Sequence, residues 1–352
     1  MANKIEIGLG DYIEELAGQS ESSVQEPETA RCFDVGLETK ADRLDKVLAL
    51  LMPDLSRSRV QSWIRSGAVR VNGILQNDVR EKVGGGDRIE VIPQALPQEK
   101  AFEPEADVDF RVVYEDEAVI VVNKPAGLVV HPAAGHWSGT LLNGLLYRYP
   151  ELTNVARAGI VHRLDKDTTG LMVVARTSAA QIDLVRQLQA RTVCREYWAL
   201  VLGLAPESGF VDTPIGRDSR NPVKFACRGI AAKPAKTHVR LVQTVYAATR
   251  AISWTACRLD TGRTHQIRVH LTSVGLPLLG DPLYRTNASK LPDEAGLAAV
   301  FSRQALHASR LRFVHPLTGQ EVSWFAEPPE DMRALMQSLN LGPTDEPVHV
   351  FD

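Results

Sequence analysis

The segment GIVHRLDKDTTGLMVVA, residues 159–175, is the most informative stretch of this chain. Two apolar runs flank a cluster of charged side chains, which comprises His162, Arg163, Asp165, Lys166 and Asp167. Apolar runs of this length predict buried strands, so the cluster should lie at the rim of a hydrophobic core. A carboxylate at such a rim is partly desolvated, and a neighbouring cation would favour its charged form. This setting suits a carboxylate nucleophile. A charged β-turn in which Asp165 binds its own backbone is the commoner meaning of such a local pattern.

The surrounding region, from residue 109 to residue 330, carries many short β-rich runs with few helical patterns between them. The helical patterns are GTLLNGLLYRYPEL (139–152) and SAAQIDLVRQLQAR (178–191). Because the strands do not alternate regularly with helices, antiparallel pairing is expected rather than repeated βαβ units. The predicted fold class is α+β, with a mixed, largely antiparallel β-sheet and flanking helices in one domain over 109–330.

A second polar segment, LDTGRTHQIRVHL (259–271), is interpreted as a strand. In a strand, alternate residues share a face, and one face would then carry Thr264, Gln266, Arg268 and His270. A fully polar face meets water or a ligand. His265 and His270 lack a third ligand at suitable spacing, so they do not predict a metal site.

Metals and cofactors find no support elsewhere in the sequence. The four cysteines have no paired spacing that would indicate zinc. Neither GxxxxGK[ST] nor a strand–GxGxxG–helix unit occurs, so no nucleotide site is predicted. No run approaches the ~20 apolar residues of a membrane span, and the N-terminus lacks an apolar signal region. We therefore predict no metal, no cofactor, no membrane partner and a cytoplasmic location.

Residues 41–92 predict a separate, small α+β unit. Two helical patterns come first, and the strand-and-turn patterns AVRVNG and GGGDRIEVI follow. Residues 1–40 are predicted to be a disordered acidic leader. Residues 93–108 are rich in Pro and acidic residues and are predicted to be a linker. Residues 331–352 are predicted to form a short helix and an acidic tail.

The small unit is rich in arginine. Its arginines of interest are Arg43, Arg57, Arg59, Arg65 and Arg70. Guanidinium groups bind phosphates through paired hydrogen bonds and need no sequence information to do so. A solvated helix face is the commoner meaning of a charge run. The use of Arg rather than Lys at these positions favours phosphate contact.

The net charge hides an uneven distribution. The chain holds 40 Lys and Arg against 43 Asp and Glu, which gives −3. Residues 1–40 contribute −6 and residues 327–352 contribute −5, so residues 41–326 carry +8. The predicted folded body is therefore basic and suited to a polyanionic partner, although the total charge alone indicates the opposite.

Several motifs resemble those of a known family. HRLDKDTTG (162–170) resembles HRLDxxTSG, the signature of the RluA-type RNA pseudouridine synthases, with Thr169 in place of the commoner Ser. The other segments that resemble the family, in the family's order, are NKPAGLVVHP (123–132), REYWALVLG (195–203), TGRTHQIRVH (261–270), LLGDPLY (278–284) and RQALHASRLRFVHP (303–316). Residues 42–90 resemble an S4 RNA-binding domain. The resemblance covers about residues 35–335.

The resemblance implies a reaction and its residues. Such enzymes break the N1–C1′ bond of a uridine, rotate the uracil and join C5 to C1′, without a metal or redox cofactor. Asp165 would be the catalytic carboxylate, and attack at C1′ or at C6 stays open. Tyr197 would stack on the uracil and is a candidate base for a proton. Arg268 would form a bidentate pair with Asp165 and aim it.

The resemblance also implies how RNA is bound. A stacked uridine must leave its helix to be reached, and Arg163 would fill the vacated position. His162 and Lys124 are expected to line the site or contact phosphates. Within the family, the chain looks most like the members that modify the helix 69 stem-loop of 23S ribosomal RNA. The expected partner is large-subunit ribosomal RNA or the assembling large ribosomal subunit, and the protein is expected to act as a monomer.

Two other readings of the sequence stay open. One is a non-catalytic, S4-type RNA-binding or ribosome-assembly factor that keeps the fold. This alternative is disfavoured because Asp165, Tyr197 and Arg268 are all present. The other is a glycosidase-like hydrolase. Such an enzyme needs two placed carboxyl groups, and nothing in the sequence marks Asp167 as the second.

Overall fold

The computed structural model describes residues 30–94, 99–133, 135–286, 289–342 and 351. The chain divides into two compact units, with the boundary between Ala101 and Phe102. Most of the predicted acidic leader and most of the predicted acidic tail lie outside the described residues.

The first unit contains two helices and two small sheets around one core. Its helices are α1 (Leu44–Leu51) and α2 (Arg57–Arg65). Its strands are β1 (Arg31–Asp34), β2 (Asp42–Arg43), β3 (Val69–Val71), β4 (Ile74–Gln76), β5 (Lys82–Val83) and β6 (Arg88–Val91). The four-stranded sheet has the order β1-β6-β3-β4, and β2 pairs with β5. All of these pairs are antiparallel.

Local chemistry explains these elements. Apolar side chains of both helices, at helical spacing, are buried in the same core as those of β3 and β6. The Ser56 hydroxyl caps α2 by accepting a hydrogen bond from the Arg59 N–H at 3.3 Å. Asn72 and Gly73 both have positive φ, as a tight hairpin turn between β3 and β4 requires.

The predicted acidic leader extends too far toward the C-terminus. Residues Arg31–Asp34 form strand β1, which pairs with β6, and Val35 is buried in the core. The strand was missed because it is short and mostly exposed, so it lacks an alternating apolar pattern. Its order comes from the backbone hydrogen bonds that β6 supplies, which sequence periodicity does not report.

The predicted linker, residues 93–108, is also too long. At one end, the Trp63 indole N–H donates to the backbone oxygen of Gln94 at 2.6 Å. At the other end, the Asn143 amide donates to the backbone oxygen of Glu103 at 2.8 Å. These contacts use backbone oxygens rather than apolar side chains, which is why the Pro- and acid-rich composition concealed them.

The second unit contains the remaining elements. Its helices are α3 (Leu141–Arg148), α4 (Ser178–Ala190), α5 (Gln266–Ser273), α6 (Leu297–Val300) and α7 (Glu330–Ser338). Short 3-10 helices cover Pro150–Asn154, Ala156–Gly159 and Asp293–Ala295, and another, Glu99–Phe102, includes the boundary between the two units. Its first six strands are β7 (Arg111–Glu115), β8 (Val119–Lys124), β9 (Thr169–Ala175), β10 (Cys194–Leu202), β11 (Ser208–Asp212) and β12 (Ile215–Arg217). The others are β13 (Phe225–Cys227), β14 (Ile230–Lys233), β15 (Lys236–Ala247), β16 (Arg250–Leu259), β17 (Leu306–Val314) and β18 (Glu321–Phe325).

A nine-stranded sheet forms the centre of this unit. Its order is β11-β15-β16-β10-β17-β9-β8-β7, and β18 also pairs with β17. The β9–β17 pair is parallel and its other pairs are antiparallel. Strand β12 lies between β13 and β14 in a separate small sheet. The predicted α+β class with a mixed, largely antiparallel sheet is confirmed.

Helices cover both faces of the large sheet. Tyr197 and Trp198 are consecutive on β10 and therefore point to opposite faces. Tyr197 belongs to the core that includes side chains of α3 and α5. Trp198 belongs to the core that includes side chains of α7. Helix α4 packs on this second face as well, against alternate residues of β9.

The segment 259–271 is not a strand. Strand β16 ends at Leu259 and α5 begins at Gln266. The predicted polar strand face therefore does not exist. Gln266 and His270 are buried and bind the backbone oxygens of Lys236 and Thr213. Short alternation misled the sequence analysis because the backbone turns at His265, whose φ is +57°. Among the described helices, none has the length and apolar character needed to span a bilayer.

Candidate active site

The charged cluster forms a loop at the start of β9. We call residues 162–168 the Asp165 loop. The Thr168 N–H donates to the Asp165 backbone oxygen at 3.1 Å, which closes a turn. The apolar run before the loop makes a single bridge, between Ile160 and Val174, rather than a full strand. The loop therefore depends on side chains from distant parts of the chain for its position.

The parallel pairing of β9 with β17 fixes the end of the loop. His307 donates from Nε2 to the Ala326 oxygen at 2.9 Å, so its Nδ1 accepts from the Thr169 hydroxyl at 2.8 Å. Burial lowers the pKa of His307 to about 4, which agrees with a neutral ring in this role. Gly170 lies opposite Ala308, and a side chain at this glycine would overlap the Ala308 oxygen. Thr169 and the commoner Ser of the family both carry a hydroxyl, and in this structure that hydroxyl binds His307.

Arg268, on α5, connects two carboxylates. Its Nη1 donates to Asp165 Oδ2 at 3.0 Å. Its Nε and Nη2 donate to the two oxygens of Asp281 at 2.7 and 2.9 Å. The predicted bidentate pair of Arg268 with Asp165 is therefore wrong: the bidentate partner is Asp281, and Asp165 receives one hydrogen bond. Because the guanidinium is planar and Asp281 holds two of its donors, the direction of its Nη1 donor toward Asp165 is fixed.

Asp281 is a site residue that sequence reasoning missed. Its side chain is 1% exposed, against 17% for Asp165. Burial alone would raise the pKa of Asp281, but Arg268 and the backbone N–H groups of Tyr284 and Leu283 hold it below its usual range. The sequence motif LLGDPLY contains this acid between apolar residues, and that position was the available sign that Asp281 is buried and paired.

The two carboxylate oxygens of Asp165 differ in their hydrogen bonds. Its Oδ2 is bound by Arg268, whereas Oδ1 has no hydrogen-bond donor among the described residues. The side chain is partly exposed. The geometry therefore presents an oriented, partly exposed carboxylate.

Tyr197 lies on β10 and is 5% exposed. Burial raises its pKa to about 12; nearby Arg195 opposes this rise and the negative charge of Asp165 adds to it. The phenol is therefore neutral near pH 7. Asp165 and Tyr197 interact electrostatically, so the structure brings these two predicted residues into one neighbourhood.

Lys124 does not contact the outside of the molecule. It is fully buried, and its Nζ donates to the backbone oxygens of Pro125, Leu128 and Lys166 at 2.8–2.9 Å. The predicted contact of Lys124 with RNA is therefore wrong. Burial lowers its pKa to about 7, and Asp167 and Asp165 oppose this fall. Three carbonyl acceptors favour the ammonium form, because a neutral amine has only two N–H groups.

Arg303 supports the loop from the other side and was also missed. Its Nη1 donates to the Asp167 backbone oxygen at 3.2 Å. The same guanidinium binds both carboxylate oxygens of Asp331, on α7, at 2.6 and 2.9 Å. Gln304 donates to the Thr168 hydroxyl at 3.1 Å. Two cations thus hold consecutive carbonyl groups of the Asp165 loop.

The first two residues of the loop differ in exposure. Arg163 is exposed. His162 is partly buried, and its Nε2 accepts a hydrogen bond from the Val173 N–H at 3.1 Å. Burial, with nearby Arg195, lowers the pKa of His162 to about 3. A neutral imidazole that serves the backbone is not a phosphate ligand, so the predicted RNA contact of His162 is not supported.

A tyrosine next to Arg268 extends the network. The Arg268 guanidinium lies 5.0 Å from the centre of the Tyr284 ring. The Tyr284 oxygen accepts from the Phe225 N–H at 2.9 Å, and its hydroxyl donates to His265 Nδ1 at 2.8 Å. Burial lowers the pKa of His265, so the ring is a neutral acceptor here.

A different arrangement holds the arginines of the first unit. Asp45, on α1, is fully buried and accepts hydrogen bonds from Arg43, Arg57 and Gln61 at 2.6–3.1 Å. Burial would raise its pKa, but these donors lower it to about 2. Arg43 and Arg57 keep 37% and 46% of their side chains exposed. A buried acid therefore orients two arginines at the surface.

The other predicted arginines lie on the same unit. Arg59 packs over the Trp63 ring at 5.3 Å. Arg65 and Arg70 are exposed, and Arg70 donates to the Gly73 oxygen at 3.3 Å. In the part of the chain that the structure describes, no group of three or more His, Cys, Asp or Glu side chains could hold a metal ion.

Sequence comparison places these two units in families. Residues 118–273 match the sequence model of RNA pseudouridylate synthases, and residues 42–89 match the S4 domain. The chain is 49% identical over 322 residues to ribosomal large subunit pseudouridine synthase D of Neisseria meningitidis, covering 91% of this chain and 84% of the relative. The chain belongs to the RNA pseudouridylate synthase family. The enzyme of the same name from Escherichia coli O157:H7 is 48% identical over 303 residues, covering 84% of this chain and 90% of the relative.

Solved structures agree with this family. Human RNA pseudouridylate synthase domain containing 1 aligns with a TM-score of 0.51 and 25% identity, covering 69% of this chain and all of that chain. Human RNA pseudouridylate synthase domain containing 4 aligns with a TM-score of 0.50 and 24% identity, which shows the fold alone; the alignment covers 65% of this chain and 92% of that chain. As a member of the RNA pseudouridylate synthase family, the protein is an isomerase with an S4 domain, and the predicted enzyme class is confirmed.

Proposed function

We propose that this enzyme isomerises specific uridines of large-subunit (23S) ribosomal RNA, at the helix 69 stem-loop, with Asp165 as its catalytic carboxylate. The observation that carries the proposal is the oriented, accessible Asp165, which is bound by Arg268 through one oxygen only. The names of the relatives in Neisseria and Escherichia support the large subunit as substrate. The choice of helix 69 rests on the resemblance of the sequence motifs.

Arg268 acts in this proposal as an aiming device for Asp165. Asp281 immobilises the guanidinium on two donors, and the third donor holds Asp165 Oδ2. The free oxygen then faces the nucleotide as a nucleophile. Attack on C1′ and attack on C6 both start from this oxygen. Either route ends with N1–C1′ broken, C5–C1′ formed, the proton of C5 released to solvent and a proton taken up by N1.

Tyr197 is assigned a stacking role beside the uracil. Its buried ring offers an apolar surface, and its phenol is protonated at neutral pH because its pKa is raised to about 12. As a base it would first have to lose its own proton, which is rare at that pKa. The stacking role predicted from the resemblance is therefore favoured over the role of general base.

Arg163 is assigned the position that the flipped uridine leaves. It is exposed and lies two residues before Asp165, so both can address one nucleotide. A planar guanidinium stacks between bases and replaces part of the lost stacking energy. The short chain between the two residues couples extrusion of the base to its presentation.

The S4 unit, proposed to extend to residue 92, supplies affinity for the RNA backbone. Asp45 orients Arg43 and Arg57, and Arg65 and Arg70 are exposed on the same unit. A tethered basic module raises the effective concentration of the RNA at the active site.

We infer residues 109–330 as the catalytic domain. A monomer in the cytoplasm, acting on free ribosomal RNA or on the assembling subunit, stays a prediction.

The proposal is tested by release of tritium from RNA that carries 5-tritiated uridine. Asp165→Asn should reduce the rate by about 10⁴-fold, because it removes the nucleophile. Asp167→Asn, which changes a neighbouring carboxylate, is the matched control and should retain most of the activity. Release by Asp165→Asn at the wild-type rate would contradict the assignment. No release by the wild-type protein on any ribosomal RNA fragment would favour a non-catalytic RNA-binding factor.

Mapping identifies the modified positions. Pseudouridines are mapped in total ribosomal RNA from a strain that lacks the protein and from the same strain complemented with wild type or Asp165→Asn. Loss of pseudouridine in helix 69, restored by wild type alone, is the expected result. An unchanged helix 69 would place the substrate elsewhere. Free uracil in the purified reaction would instead indicate hydrolysis.

A further inference from the structure

Arg195 is a buried cation whose guanidinium has no hydrogen-bond acceptor in the part of the chain that the structure describes. It lies on β10 and is 6% exposed, and its Nε is fully buried without a partner. Arginine is almost never buried unless a carboxylate or another acceptor pairs with it, because removing a cation from water is costly. A buried guanidinium with free donors therefore indicates a ligand that supplies the acceptor.

This guanidinium lies close to the predicted active-site residues. Alternate residues of a strand share a face, so Arg195 and Tyr197 are neighbours on one face of β10. Burial raises the pKa of Tyr197, while the charge of Arg195 opposes this rise and that of Asp165 adds to it. Burial, together with Arg195, also lowers the pKa of His162 in the Asp165 loop. One place in the structure is thus within electrostatic reach of both Arg195 and Asp165.

Gly262 makes room for the guanidinium. This glycine lies between β16 and α5, and its φ is outside the left-handed region. A Cβ at Gly262 would lie 2.8 Å from Arg195 Nη1 and 3.9 Å from its Cζ, and would meet no other described residue within 4 Å apart from its chain neighbours. Backbone freedom therefore does not require a glycine here, and its small size leaves space for Arg195.

The charges around Asp165 show what such a cation would balance. Asp165 and Asp281 carry two negative charges, and Arg268, which binds both, carries one positive charge. A substrate that gained negative charge in this neighbourhood would meet an excess of negative charge. Arg195 supplies a second positive charge there, and like charges are expensive to bring together where water is excluded.

Both routes that are open for the reaction place negative charge on the uracil. In attack at C1′, a bond from the Asp165 oxygen to C1′ forms as N1–C1′ breaks, and the electron pair of the broken bond spreads over N1, O2 and O4. In attack at C6, a bond from that oxygen to C6 forms, and the π-electron pair of C5–C6 shifts so that the charge reaches O4. O4 is therefore charged in both routes, and a fixed donor at O4 would stabilise either transition state.

We propose that Arg195 is a further catalytic residue, whose guanidinium donates to O4 of the target uracil and stabilises the negative charge that develops there. The inference rests on the proposed function, since it assumes a uridine beside Asp165. Arg268 orients the attacking carboxylate, Tyr197 stacks on the uracil, and Arg195 binds the oxygen that becomes charged. The uracil is neutral again once the proton of C5 has been released and N1 has taken one up.

The first experiment changes the charge of Arg195. Arg195→Gln should lower kcat for tritium release about 10²–10³-fold and leave KM within about twofold, because the contact strengthens only as charge develops. Arg195→Lys keeps the charge and should recover about tenfold of this loss. The control is Arg310→Gln. Arg310 is half-buried and lies opposite Glu196, which points to the other face of the sheet, so kcat should stay at the wild-type value.

A second variant displaces the guanidinium and keeps its charge. Gly262→Ala should lower kcat about tenfold, because its Cβ would push Arg195 Nη1 from its position. Its melting temperature should stay near that of the wild type, since that Cβ meets only the far end of one side chain. The same change added to Arg195→Gln should lower kcat no further, because both substitutions act on one contact. Multiplying losses in the double variant would contradict the proposal.

Sulfur in place of a single uracil oxygen identifies the atom that Arg195 binds. The target uridine, tritiated at C5, is replaced by 4-thiouridine, whose sulfur accepts hydrogen bonds more weakly than O4 does. This change should cost the wild type about tenfold more in kcat than it costs Arg195→Gln. The matched control is 2-thiouridine, which should cost both proteins the same factor. An equal cost of 4-thiouridine to both proteins would refute the contact with O4.

Each further outcome has a separate meaning. Tritium release by Arg195→Gln at the wild-type rate overturns the inference and leaves the proposed function in place. An Arg195→Gln variant with KM raised about tenfold and kcat unchanged indicates a phosphate contact in the ground state and also overturns it. Equal losses in Arg195→Gln and Arg195→Lys, with wild-type kcat in Gly262→Ala, indicate a packing role instead. Wild-type protein that releases no tritium overturns the proposed function, and the inference with it.

Discussion

The two units use the same basic side chains in opposite ways. We call the second unit, which holds the Asp165 loop, the catalytic unit. In it, Lys124, Arg268 and Arg303 are buried or nearly so and donate to the Asp165 loop and its supports. In the S4 unit, Arg57 and Arg65 lie at the surface. The comparison teaches that a cation in an RNA-enzyme motif is not by itself an RNA contact, because burial decides whether its charge reaches the substrate.

Each unit contains one buried acid that anchors arginine. Asp281 turns Arg268 inward, toward Asp165, and Asp45 holds Arg43 and Arg57 at the surface. Both anchors are carboxylates that bind guanidinium groups, but Asp281 holds its arginine toward the active site and Asp45 holds its arginines at the surface. Removing either anchor should therefore harm a different property of the protein.

The largest effect is expected from Lys124→Met. The substitution preserves length but leaves three backbone oxygens without their donor, among them that of Lys166 in the Asp165 loop. We expect the free energy of unfolding of the catalytic unit to fall by about 3–5 kcal/mol. Chemical denaturation followed by hydrogen exchange of β8 and β9 peptides measures it.

The matched control for that change is Lys46→Met, in the S4 unit. Lys46 is half-exposed and pairs with Asp42 at 3.3 Å on the surface. Its replacement should change stability by less than about 1 kcal/mol. Equal losses in the two variants would erase the distinction between buried and exposed cations.

The next effect separates the two anchors. Asp281→Asn should lower kcat about 10²-fold with little change in KM, because a misaimed Arg268 no longer orients Asp165. Asp45→Asn should leave kcat on a short RNA unchanged and destabilise the S4 unit by ~2 kcal/mol, since the pKa of Asp45 is lowered to about 2. Single-turnover kinetics and thermal melting distinguish them. Two variants with the same kinetic profile would contradict the proposed aiming role of Asp281.

The third effect is a loss of stability of the catalytic unit at low pH. All nine histidines lie at or beyond His131, so the S4 unit contains none. The pKa of His162 is lowered to about 3 and that of His307 to about 4, so the unfolded chain binds their protons first. The neutral histidines stabilise the fold fully above the ordinary pKa near 6.5, and this stabilisation is lost as the pH falls toward 4. At pH 5 each of the two groups has lost about 2 kcal/mol of it.

Peptide-resolved hydrogen exchange at pH 7 and pH 5, corrected for intrinsic rates, measures this difference. The catalytic unit should lose protection and the S4 unit should not. His307→Gln should reduce the pH dependence of the catalytic unit. Parallel losses in both units would mean that carboxylates, rather than histidines, control the acid response.

The smallest effect concerns the exposed arginines. Arg65→Gln with Arg70→Gln should raise KM for RNA about fivefold and lower the salt slope by roughly 1.4–1.8, with kcat unchanged. The control is Arg80→Gln with Arg88→Gln, two exposed arginines of the same unit. If the control pair weakens binding equally, the S4 unit binds RNA through its total charge rather than through the chosen residues.

Sequence reasoning was accurate where residues are close together along the chain. The helical spacing in 139–152 and 178–191 predicted α3 and α4. Short alternation failed at 259–271, where a helix replaced the predicted strand. The turn at His265, with its left-handed backbone, has no apolar period to reveal it.

The candidate site was predicted by motif and completed by contacts between distant residues. Asp165, Tyr197 and Arg268 were named from the resemblance, and the structure brings them together. Asp281 and Arg303 were missed because their partners are over 12 residues away in sequence, and only the fold makes those pairs. Lys124 was misassigned for the same reason, since a sequence does not state which lysines are buried.

The anchors of the Asp165 loop also set an order of events during synthesis. Thr169 can form its hydrogen bond only after His307, 138 residues later, has been synthesised. Arg303 likewise needs Asp331, on the last described helix. At 5–20 residues per second, the ribosome adds Asp331, the later of these partners, about 12–48 s after it has finished the S4 unit at Val91. The nascent chain should therefore hold RNA well before it is able to modify any.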